Sequence, residues 1–202
     1  MTSIHWRLIS EEAASATHLM MQVVSFAETI RLVPRAAEAG ASVETLNEAL
    51  HQLALRGIAR HVQPVTLPPT PSDVARVSDG VIAALQDSPL PQAEWPAIAE
   101  ILGDDELAVL VNVSASSLNR YRSGERTTPD PVAARLHFAA LVVSDLAGSY
   151  NDFGIRRWFR RPRSALGGSS PRELLTGDWS PDGREATQVR ELARALLGAS
   201  IG

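Results

Sequence analysis

Apolar residues recur at spacings of three and four along most of this chain, and strict alternation is scarce. Between Glu11 and Val33, the residues Ala16, Leu19, Met20, Val23, Val24, Ala27 and Ile30 fall on one helical stripe. Ser10 is placed to cap that helix, and Pro34 interrupts the pattern. Val43 to about Arg56 reads as a second helix, with Ser42 as cap, Leu46, Leu50 and Leu53 on one face, and Gly57 as stop. Four prolines between Val62 and Pro71 predict a semi-rigid linker and a domain boundary. A third helix is expected from Asp73 to about Gln86, capped by Ser72, a long one from Pro131 to about Ser149, and a last one from about Glu185 to Leu197. Ile58 to Thr66 is the one short strand candidate. The expected fold class is all-α. It divides into a helical region over 1–61, a linker over 62–72, a helical domain over 73–150 holding a helix-turn-helix at about 104–124, and a small helical domain over 151–202.

Composition narrows the chemistry. The nineteen basic residues are all Arg, so lysine Schiff bases and a P-loop lysine are excluded. Cysteine is absent, which removes disulfides, thiolate nucleophiles and Cys-ligated zinc. His5, His18, His51, His61 and His137 fall singly, without metal-ligand spacing. Gly167-Gly168-Ser169-Ser170 lacks the flanking residues of a P-loop or a nucleophile elbow. No catalytic constellation, cofactor or metal is therefore expected. The N-terminus lacks a signal-peptide layout and no apolar run is long enough to span a bilayer, so a cytoplasmic location is expected. The formal net charge of −4 hides an asymmetry: residues 1–100 carry 6 Arg and 11 acids, whereas residues 119–163 carry 9 Arg and 4 acids. A concentrated cationic segment can hold a polyanion locally even in a mildly acidic protein.

The segment Asp104 to Gly124 has the layout of a helical hairpin. Asp104, Asp105 and Glu106 suit the positive first turn of a short helix, with Leu107, Ala108 and Val111 facing inward. Asn112 stands where a tight turn needs positive φ. Val113 fills the angle between the helices, and Ser114 or Ser116 caps the second helix, which buries Leu118 and Tyr121 and stops at Gly124. Ser116, Ser117, Asn119, Arg120 and Arg122 are left facing outward as candidate DNA contacts, since Asn pairs with adenine and Arg with guanine or phosphate. A plain helical hairpin with a polar outer face has the same pattern; the surrounding excess of Arg favours DNA.

The stretch resembles the Xre-type helix-turn-helix of bacterial regulators and antitoxins, through Leu107-Ala108, Val113-Ser114, Tyr121 and Gly124, with Asn112 in place of the commoner Gly. Further on, Trp158, Pro162, Leu166-Gly167-Gly168, Pro171 and Leu174-Leu175 resemble the toxin-binding domain of the Xre/MbcA/ParS antitoxin family. The likeness covers about half of the chain, from the hairpin to its end. It implies a partner, a RES-domain toxin that destroys NAD, blocked largely by the C-terminal region, and autoregulation through operator DNA, as a homodimer or as a hetero-oligomer with the toxin.

Trp158, Leu166, Leu174 and Leu175 are expected to form a small core, with a turn at Gly167-Gly168 and Pro171 opening a short helix. Arg156, Arg157, Arg160 and Arg161 suit phosphate, a protein partner or solvent equally. The terminal apolar residues Leu196, Leu197 and Ile201 have little chain behind them to cover them and, with Arg156, Arg157 and Arg160, are the candidate toxin contacts. Leu192 and Leu196 packing back onto Trp158 and Leu174 is the competing arrangement. A solitary DNA-binding regulator, with a C-terminal domain serving dimerisation or another partner, is the alternative function.

Overall fold

The computed structural model describes residues 2–35 and 41–199, with side chains described over 11–35 and 41–196. It is helical, with no strand among the described residues. It separates into two compact units, Met1–Ser88 and Pro89–Gly202.

The first unit contains α1 (Thr2–Thr29), α2 (Val43–Leu55) and α3 (Pro71–Gln86), and α1 packs against both of the others. The sequence periodicity explains the core: Ala16, Met20, Val23 and Ala27 are buried from α1 with Ile30 just beyond its end, Leu46, Ala49, Leu50 and Leu53 from α2, and Val74, Val77, Val81 and Leu85 from α3. Ser42 caps α2 by accepting from the Thr45 amide at 3.2 Å, and Gly57 beyond its end has φ of 93°. Three details differ from the sequence expectation. Ser10 lies inside α1, which starts at Thr2; the signals read as a cap also fit a helix interior when a turn precedes them. Thr70, not Ser72, caps α3, because Pro71 with its fixed φ opens the helix. The strand candidate over 58–66 stays irregular.

The proline-rich segment is not the boundary between units. It joins α2 to α3 within the first unit, while the division falls between Ser88 and Pro89. The reason is side-chain bonding that local composition does not reveal. Asn47 of α2 brackets the main chain of Val65, donating to its carbonyl and accepting from its amide, both at 2.9 Å, and the Val65 side chain is buried.

The second unit is built around α7 (Asp130–Ala147), whose residues are buried on nearly all sides from Leu136 to Leu146. Against it pack α4 (Pro91–Leu102), α5 (Asp104–Leu110), α8 (Asp152–Arg160) and α10 (Arg184–Ala199). Consequently residues 151–202 do not form a domain apart from 89–150. No single described helix is long and apolar enough to cross a membrane. Polar groups are buried in pairs: Glu94 with His137 at 2.5 Å, and Asp145 with Arg190 and Arg194 of α10 at 3.6 and 3.9 Å. The small C-terminal core forms as expected, with Trp158, Leu166 and Leu175 buried and Leu174 half-buried. Gly167 and Gly168 have φ of 65° and 89°, and Pro171 opens α9 (Pro171–Leu174) with a capping box between Ser170 and Glu173. Trp179 completes the unit: its indole N–H donates to the Leu110 carbonyl at 2.8 Å, its carbonyl accepts from Arg135, and its ring meets the edge of Phe138.

Candidate nucleic-acid interface

The hairpin of α5 and α6 (Ala115–Arg122) has the local geometry its sequence dictates. Asn112 adopts φ of 55° between the helices, and the Val113 amide reaches back to the Ala108 carbonyl at 3.0 Å. Of the two possible caps, Ser114 is the one used: its hydroxyl accepts from the Ser117 amide at 3.1 Å. Leu118 is buried, and Tyr121 stacks on Trp95 of α4 with ring centroids 6.0 Å apart. Leu107 and Val111 are buried, while Ala108 is half-buried. A helix pinned on one side in this way presents its remaining face in a fixed orientation.

That face carries four of the five candidate DNA contacts exposed: Ser116, Asn119, Arg120 and Arg122. Ser117 is half-buried, and its hydroxyl accepts from Ser114 within the cap. Asn119 and Arg122 are not independent. Arg122 donates to the Asn119 side-chain oxygen at 2.7 Å and to Asp104 at 2.6 Å, which links the end of α6 to the start of α5. Among the described residues the Arg120 guanidinium meets only Glu125, at 3.8 Å between exposed groups, a pair worth about 0–1 kcal/mol. Arg120 is therefore the guanidinium most readily offered to a base or a phosphate. Arg126, which the sequence reading passed over, lies over the Tyr121 ring at 5.6 Å and adds a cation beside the same helix.

The C-terminal candidates divide. Arg156 donates to the Ile101 carbonyl at 2.6 Å and so caps the end of α4. Arg160 donates to Glu106 of α5 at 2.7 Å. Arg157 is exposed, with no partner among the described residues. Leu192 and Leu196 are half-buried, and the Leu196 carbonyl accepts from Ser149 at 3.2 Å. The Leu197 side chain and Ile201 lie outside the described residues.

Glu106 is the buried charge of this region that the sequence hid. In a first helical turn beside Asp104 and Asp105 it reads as a solvent-facing acid complementing the helix dipole. In the fold it is fully buried, meeting Arg160 from α8 on one oxygen and Arg172 from α9 at 3.5 Å on the other. Both partners lie more than fifty positions along the chain, so no local signal marks them. No protein-family model matches this chain, and neither a curated protein nor a solved structure is detectably similar to it.

Proposed function

We propose that this chain is a DNA-binding antitoxin of the Xre/MbcA/ParS type, which represses its own operon through α6 and neutralises a RES-domain toxin in the cytoplasm by direct binding, without catalysis. The observation carrying the DNA-binding half is the exposed Ser116–Asn119–Arg120 face, on a helix held by the Asn112 turn, the Ser114 cap and the buried Leu118 and Tyr121. A recognition helix in a major groove needs such a rigid, polar, uncovered N-terminal half. The neutralising half rests on the C-terminal sequence resemblance alone.

The test is a mobility-shift assay on duplex DNA from upstream of the chain's own reading frame. Arg120→Ala is expected to weaken binding by about 1–3 kcal/mol if it reads a base. Unchanged affinity would remove α6 from the interface.

Neutralisation is tested by co-expression with a RES-domain product encoded beside this chain. Deleting residues 197–202 is expected to abolish growth rescue while DNA binding persists, since Leu196 and the fold before it are left in place. A second reading, a solitary regulator whose C-terminal region serves dimerisation or another partner, is favoured by Arg156 and Arg160 being engaged within the fold. Rescue that survives the deletion moves the blocking surface away from the C-terminal end, whereas no toxin binding at all supports that second reading.

A further inference from the structure

The first turn of α5 gathers cations from three other elements. Asp104 holds Arg122 of α6, and Glu106 holds Arg160 of α8 and Arg172 of α9. Arg157 stands three positions before Arg160 and so shares its helical face, Arg161 follows directly at the end of α8, and both are exposed. The acids among them are Asp104, Asp105, Glu106 and Glu173. Of these, Glu106 is fully buried and turned toward Arg160 and Arg172, and Glu173 is exposed with its carboxylate engaged in its cap, accepting from the Ser170 amide at 2.7 Å. The Arg160 and Arg172 side chains, by contrast, remain 56% and 39% exposed.

The way Glu106 holds Arg160 matters. The carboxylate accepts from Nε, and the terminal nitrogens of Arg160 make no hydrogen bond among the described residues. A guanidinium carries five N–H donors in a planar fork, so the outward side retains the pair that suits a phosphate. Anchoring by a buried acid has already removed much of the side chain's rotamer freedom, which lowers the entropic cost of a further contact.

Resting on the reading that α6 enters a DNA groove, the geometry points to a phosphate-binding face formed by Arg157, Arg160, Arg161 and Arg172, which extends the nucleic-acid interface from the hairpin onto α8 and α9. The occupant is the DNA backbone rather than a protein, because two of these guanidinia, Arg160 and Arg172, flank α5 through Glu106. In helix-turn-helix docking the first helix of the hairpin crosses the backbone, so cations fixed beside it meet phosphate oxygens. Such contacts position the hairpin and carry no base preference.

The test uses the full chain and a short duplex of arbitrary sequence, with affinity measured over a salt series. Arg157→Ala with Arg161→Ala removes two exposed cations that have no partner among the described residues, and an unchanged thermal melt checks the fold. Each lost phosphate contact lowers the slope of log affinity against log salt by about 0.9. The double variant is therefore expected to bind several-fold more weakly and to lose about 2 from that slope. Replacing the same two residues by Lys is expected to keep the slope, since a point charge suffices for a phosphate.

Arg120→Ala on the upstream duplex separates this face from the hairpin. A full slope in the Arg157→Ala/Arg161→Ala protein beside weakened Arg120→Ala binding overturns the phosphate face and leaves the hairpin reading intact. A reduced slope with normal Arg120→Ala binding supports the face and removes α6. A full slope together with lost binding of the neighbouring RES-domain product overturns the proposal in favour of a protein interface. Failure of the chain to bind either duplex overturns both readings.

Discussion

Replacing Arg160 and Arg172 together by Ala is expected to destabilise the second unit by about 3–5 kcal/mol, the usual cost of leaving a buried charge without its partner. Both guanidinia meet the same carboxylate, and Glu106 has no exposure to water that would substitute for them. The reverse change is milder. Glu106→Ala leaves two arginines that are already 56% and 39% exposed and can turn to solvent, so its cost reduces to a small cavity and the lost hydrogen bond, about 1–3 kcal/mol. The same asymmetry predicts a rescue. Glu106→Leu added to the double Ala variant removes the stranded charge, and it is expected to restore most of the lost stability. Urea unfolding of the three proteins measures this. If Leu at 106 deepens the loss, the carboxylate was not the cause.

This carboxylate also shows what a single sequence withholds. The legible parts were those whose cause lies within four or five residues. Ser42 and Gly57 bracket α2, Asn112 takes the left-handed turn, Ser114 caps α6, and Pro171 opens α9. Periodicity likewise gave the buried stripes, because a helix face must be covered whichever element covers it. The illegible parts depend on partners far along the chain. Arg160 meets Glu106 across 54 positions, and Trp179 meets Leu110 across 69. An arginine run therefore reads as one surface when its members in fact divide: Arg156 caps α4, Arg160 grips an acid, and Arg157 stays in solvent. The unit boundary was misplaced for the same reason. Proline density reports a lack of regular structure, whereas the two bonds between Asn47 and Val65, 18 positions apart, tie the segment to α2 within the first unit.

Asp145 carries the largest expected dependence of stability on pH. It is buried near the end of α7, and burial pushes its carboxyl up to about 6 from 3.8, against the opposing pull of Arg190 and Arg194. Burial also pushes the Arg190 guanidinium down, so the charged forms of both partners are disfavoured while their attraction offsets part of that penalty. For an acid whose pKa is higher folded than unfolded, the folded state binds more protons between the two values. The stability this group contributes is therefore fully present below about pH 4 and is lost as pH rises through about 6. The difference amounts to roughly 3 kcal/mol, at 1.36 kcal/mol per pKa unit. Asp145→Asn removes the titration while keeping the shape of the protonated acid. Its stability relative to the native chain is expected to improve by that amount between pH 4 and pH 7, whatever its offset at either end. Thermal melts of both proteins across this range provide the check. A difference that stays constant with pH would mean that Arg190 and Arg194 hold the carboxylate ionised throughout, and that the ion pair outweighs the cost of its burial.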